Sequence, residues 1–181
     1  MRHSILLAIL VLSMTGSAVV TASSPPQRFL RIASAGGVYK LTGSIDMPSR
    51  DSVHRLVIDA RGDDTTNAGI NRHLESAARA LNLYALAGVP NDKIEVAVVI
   101  HAKATSMVLS DHAFRRKFGK RNPDSVLIDD LRRAGVRIVV CGQALTHQGY
   151  AVADVDPGVK VSLSAMTALV DLQSKGYALI P

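Results

Sequence analysis

The chain has 181 residues, 48% hydrophobic and 20% charged, with 21 Lys and Arg against 15 Asp and Glu. That balance excludes a disordered chain, and the length suits a single domain with a real core. One cysteine and no tryptophan exclude an intrachain disulfide framework and any Cys-rich zinc or iron–sulfur site.

In chain order, Met1–Ser4 carries Arg2 and His3, Ile5–Met14 is an almost unbroken apolar run, and small residues lead to Val20-Thr21-Ala22. A basic start, a short apolar stretch and small residues before a cleavage point predict a secretory signal peptide over residues 1–22. The run falls short of the roughly 20 apolar residues a membrane span needs. Cleavage after Ala22 leaves 20 basic and 15 acidic residues. The product is expected to be exported, to the periplasm in a bacterial source, with no membrane attachment.

Residues 23–52 are weakly patterned, with Ser23-Ser24-Pro25-Pro26, Gly36-Gly37 and Met47-Pro48. They read as an extended lead-in with at most one short edge strand near Val38–Leu41. Residues 53–181 read as one domain. Arg55–Ile58 is a short buried strand ended by Asp59-Ala60-Arg61-Gly62. Ile70–Ala87 is a helix, because Ile70, Leu74, Ala77, Leu81 and Ala85 share one face and Gly88-Val89-Pro90 stops it.

Ile94–Ile100 is the most β-prone run, and His101 follows it directly. Two helical pieces are predicted over 106–118 and 123–134, then a β-branched strand over 136–140 leading into Cys141-Gly142. A short helix over 143–148, a strand over 159–163, a helix over 164–174 and a strand over 177–180 complete the chain. Apolar strands separated by helices predict an α/β three-layer sandwich around a mainly parallel five-stranded sheet.

In such sheets, chemistry collects beyond the carboxyl ends of the strands. Asp59, His101 and Cys141 follow the first three strands there. A thiol at a strand-to-helix turn can meet the unpaired N–H groups of the helix, which favour its thiolate. The bland alternative is a buried structural cysteine. His101 could tune the thiol or could simply bond a loop carbonyl, and Lys103 could add positive potential or be a solvated loop residue. His147 lies too far round its helix to rank with His101.

The five histidines from His54 onward are scattered without metal-ligand spacing, and no phosphate loop is present, so no metal or cofactor is expected. The basic cluster Arg115, Arg116, Lys117, Lys120 and Arg121 is interleaved with Phe114 and Phe118. Helical spacing turns the two phenylalanines to the core and leaves the cations as a solvated face, so no nucleic-acid partner is expected.

Several stretches together carry a resemblance. They are Ile70-Asn71-Arg72-His73-Leu74, the helix end Tyr84–Val89, the strand Val96–His101, Leu131–Val136, and above all Val139-Val140-Cys141-Gly142-Gln143-Ala144-Leu145 followed by Gly149. The tail from Val161 to Tyr177 also fits. From Ile70 onward the chain is similar to the DsrE/DsrF-like family of small α/β proteins associated with sulfur relay.

The resemblance implies a flavodoxin-like sandwich of a kind that assembles into homo- or hetero-oligomers, often trimers or hexamers, and for this chain a homo-oligomer, trimer, hexamer or dimer. It also implies that Cys141 accepts sulfane sulfur as a persulfide and passes it on. His101 matches a histidine of the family's exported branch. Gly142, Gln143, Lys103 and Asn71 are the candidate substrate-binding residues, and a small sulfur species or a partner thiol is the implied partner. With one cysteine, another molecule must complete any sulfur cycle. The alternative is a non-catalytic oligomeric binding module that uses the same strand-end cleft for a small anion or a protein.

Overall fold

Two apolar strands form the centre of the molecule. In the computed structural model, which describes residues 27–43 and 45–181, β1 (His54–Ala60) and β2 (Ile94–Ile100) pair in parallel along their whole length. The proposed signal peptide lies outside the described residues. β3 (Arg137–Cys141) adds to β2, β4 (Lys160–Ser162) to β3, and β5 (Ala178–Ile180) to the far side of β1. The sheet therefore has five strands in the order β4-β3-β2-β1-β5, all parallel.

Alternation along the strands sends successive side chains to opposite faces. Ile58, Val98, Ile100, Ile138 and Val140 face α1 (Arg72–Leu86) and α3 (Ser125–Arg133), whose Leu74, Ala77, Leu81, Leu127, Ile128 and Leu131 close the larger core. Val57, Ala97, Val99 and Cys141 face the other way, onto Ala165 and Leu172 of α5 (Ala165–Ser174). α5 joins β4 at one edge to β5 at the other, so it crosses the whole second face. Met166 and Val170 on its outer side are 76% and 62% exposed, and Leu163, just before the helix, is 73% exposed.

The predicted architecture is thus present, and its boundaries shift for local reasons. β1 runs on through Asp59 and Ala60, because pairing with Val99 and Ile100 outweighs the poor strand propensity of aspartate. The helix predicted over 106–118 is two pieces. A 3₁₀ segment spans Ala102–Val108, and Ser110 then caps α2 (Asp111–Phe118), its Oγ accepting from Ala113 N at 3.2 Å. Phe114 is buried, while Phe118 packs against it with ring centroids 4.5 Å apart and planes tilted by 44°, and stays 42% exposed. The cations of this helix face outward as expected, Arg115 and Arg116 pairing with Asp111 and Asp154.

The edge strand expected near Val38–Leu41 reduces to one antiparallel bridge, Arg28 to Val38, outside the main sheet. The lead-in is nevertheless docked, for Ile32 and Ala35 belong to the larger core. What holds it there is Asn82 of α1, fully buried. Its Oδ1 accepts from the backbone N of Leu30, Arg31 and Ile32, and its Nδ2 donates to the carbonyls of Ile32, Ala35 and Gly36. Gly36, at φ +69°, lies so close to α1 that a Cβ would fall 2.3 Å from Arg79 N. Among the described residues, no helix is long and apolar enough to cross a membrane.

Candidate strand-end thiol site

β1, β2 and β3 end side by side, and the register brings their last residues together. Ile100 is the partner of Val140, so His101, the next residue, lies level with Cys141 on the neighbouring strand. His101 N donates to Ala60 O at 3.0 Å, extending the ladder by one bond. By alternation Asp59, His101 and Cys141 continue the face that α5 covers.

The His101 ring turns toward β1, where its Nε2 lies 2.7 Å from Asp59 Oδ1. The other carboxylate oxygen of Asp59 meets Arg61 Nε at 3.4 Å. The two side chains are largely sheltered, 22% exposed for His101 and 14% for Asp59. Such a pair orients the imidazole.

Cys141 is the last residue of β3 and the N-cap of α4 (Gly142–His147). Its Sγ accepts from Ala144 N at 3.4 Å, so the first turn of the helix presents an N–H to sulfur. Cys141 is 6% exposed and packs in the cluster of Val57, Val99 and Ala165, with Ala144 beside it. Among the described residues, no hydrogen bond joins the His101 ring to this sulfur.

The remaining sequence candidates separate into two groups. Gly142 is at the site and is sterically required: a Cβ there would lie 2.8 Å from Ser162 O on β4. Gln143 is exposed on the first turn of α4, and Lys103 is exposed on the 3₁₀ segment after His101. Asn71, at the start of α1, is 3% exposed. It caps α1 by accepting from His73 N, its Nδ2 donates to Gly62 O, and its own N donates to Asp124 Oδ1. These bonds fix the start of α1 to the loop after β1.

Sequence reading placed Asp59 at its strand end but not its bond to His101, which crosses 42 positions, and it missed one contributor. Gln148, just past α4, donates from Nε2 to Ala102 O, which also accepts from Thr105 Oγ1 at 2.7 Å. Nothing in a single sequence marks that pairing. Among the described residues, no group of three or more His, Cys, Asp or Glu side chains could hold a metal ion.

Fold and site together define a small parallel α/β protein with one thiol at the carboxyl edge of its sheet. The chain belongs to the DsrE/DsrF-like family, whose model matches residues 55–181, and that membership connects it with sulfur-relay-related roles. No curated protein matches it. A protein of unknown function from Methanobacterium thermoautotrophicum, MTH1491, has a similar solved structure. It is 23% identical, with a TM-score of 0.54, over 70% of this chain and 97% of that one. The YchN protein of E. coli is 13% identical over the same shares, with a TM-score of 0.48.

Proposed function

We propose that this is an exported sulfur-handling protein of the DsrE type in which Cys141 carries sulfane sulfur. The observation that supports this reading best is the N–H of Ala144 directed at Sγ from the start of α4. The Cys141 sulfur, once deprotonated, attacks the outer sulfur of a persulfide donor R–S–SH. One S–S bond forms and one breaks, leaving Cys141–S–SH and R–S⁻. Attack by an acceptor thiolate on the outer sulfur reverses the exchange and regenerates the Cys141 thiolate. No net oxidation occurs, so no cofactor is needed, and the acceptor is a second molecule because the chain has no other cysteine. The working form is a homo-oligomer, in the periplasm of a bacterial source.

Intact mass after incubation with polysulfide or a low-molecular-weight persulfide tests this. Wild type gains one sulfur, released by a thiol, and Cys141→Ser gains none. Equal gain on both, or none on wild type, overturns it and leaves the non-catalytic binding module as the better reading.

A further inference from the structure

Helical spacing would put both phenylalanines of α2 in the core, yet Phe118 stays half-exposed with a cation on either side of it in the chain. Arg115, Arg116 and Lys117 precede it, and Lys120 and Arg121 follow. Complementing the helix dipole accounts for cations in the last turn, but Lys120 and Arg121 lie past the end of α2. Gly119, left-handed at φ +70°, turns the chain there, and Arg121 reaches Asp111 in the first turn at 2.8 Å. Asn122 fixes this return, its buried Nδ2 donating to the carbonyls of Met107 and Leu109 at 2.8 and 2.7 Å.

The charges here do not cancel. Arg115 and Arg121 share the one carboxylate of Asp111, Arg116 takes that of Asp154, and Lys117 lies 4.2 Å from the centre of the Tyr150 ring. Five cations against two carboxylates leave an excess of three, where the whole chain beyond residue 22 has an excess of five. From this we infer that the end of α2 is a docking surface for an acidic protein, with Phe118 as its apolar anchor and Arg115, Lys117, Lys120 and Arg121 as its charge. The inference goes beyond the sulfur-carrier reading and does not depend on it.

An aromatic ring among arginines is the composition from which protein interfaces draw most of their binding energy. Side chains already held by Asp111, Asp154 and Tyr150 lose less freedom when a partner arrives. Beside them, a cavity of about 250 Å³ with Arg116, Lys117 and Tyr150 in its wall offers a place for a partner's carboxylate. A membrane surface would need an apolar helix face, and α2 turns Ala113 and Phe114 inward, leaving one ring to insert. Single-stranded nucleic acid is held by rows of stacking rings, and Phe118 is a single ring already packed on Phe114. Carboxylates around an apolar hollow match both the guanidinium groups and the ring.

Fluorescence anisotropy with two labelled acidic peptides, one of glutamate and leucine and one of glutamate and serine, tests this. Both are expected to bind wild type at about 0.15 M salt and to weaken as salt rises. The double variant Arg115→Gln/Lys120→Gln should weaken both about 10-fold. Lys40→Gln/Lys175→Gln removes the same charge from exposed positions on the lead-in and just past α5, and should change neither. Phe118→Ala should weaken the leucine peptide alone, by about 5-fold. Circular dichroism checks that each variant is folded. Absence of binding, equal weakening by the two charge variants, or a leucine peptide indifferent to Phe118→Ala overturns the inference. Tighter binding to a DNA duplex or to phosphatidylglycerol vesicles than to either peptide overturns the assignment to a protein.

Discussion

Asn82 and Ile32 hold each other by both ends: Asn82 Oδ1 accepts from Ile32 N at 2.9 Å, and its Nδ2 donates to Ile32 O at 3.0 Å. The asparagine mimics a strand edge from inside a helix. It satisfies the lead-in's backbone where no sheet partner is available.

Removing it leaves those groups buried and unpaired. Asn82→Ala is expected to destabilise the fold by about 3 kcal/mol or more. Hydrogen exchange should show residues 30–36 losing protection first while β1 and β2 keep theirs. Uniform loss across the sheet would contradict a local anchor.

Gly142→Ala places a Cβ against the backbone of β4 rather than against a side chain that can swing away. The expected cost is about 1–3 kcal/mol in denaturant unfolding. The Ser162 amide should exchange faster as β4 shifts away from Cys141. A neutral substitution would mean that β4 gives way freely.

Asp124 is 4% exposed, and burial raises its carboxyl pKa to about 6 against the opposing hydrogen bond from Asn71 N. The folded value lies above the unfolded one of about 3.9. Its stabilising contribution is therefore fully present below about pH 4 and is lost as pH rises through 6. Asp124→Asn removes this dependence. Unfolding free energies at pH 4 and pH 7 should differ between wild type and variant by about 2–3 kcal/mol in the direction of a less stable wild type at pH 7. Equal pH dependence in both proteins would overturn the assignment.

Cys141, at 6% exposure, should react slowly with bulky alkylating reagents and faster with small ones. Sub-denaturing urea should speed the bulky reagents most, which a plate-reader thiol assay can follow. A size-independent rate would show the thiol to be open.

The five strands, their order of appearance and the residues at their carboxyl ends were legible because long apolar runs leave little choice of state. β2 is the clear case: Ile94–Ile100 is buried on both faces and has no competing helical period. The helix break at Ser110 was legible in principle from Ser-Asp, but the apolar Met107 to Leu109 run masked it. The lead-in was unreadable, since Asn82 sits 50 positions from Ile32 and a mid-helix asparagine normally signals nothing. At the site, Cys141, His101 and Gly142 could be read from strand ends. The direction of the His101 ring could not, because a side-chain bond between neighbouring parallel strands leaves no local pattern. Asn71 carried a motif whose buried bonds to Gly62 and Asp124 serve the start of α1.

One helix crosses the second face of the sheet from β4 to β5, and the only thiol lies beneath it. That helix is the principal cover of a small core and at the same time the roof of the sulfur. Access and cohesion are therefore coupled mechanically: a displacement that admits a donor also loosens Val57, Val99 and Leu172. Reactivity and stability on that face cannot be tuned separately, so substitutions that tighten α5 against the sheet should slow the thiol in proportion to the order they add.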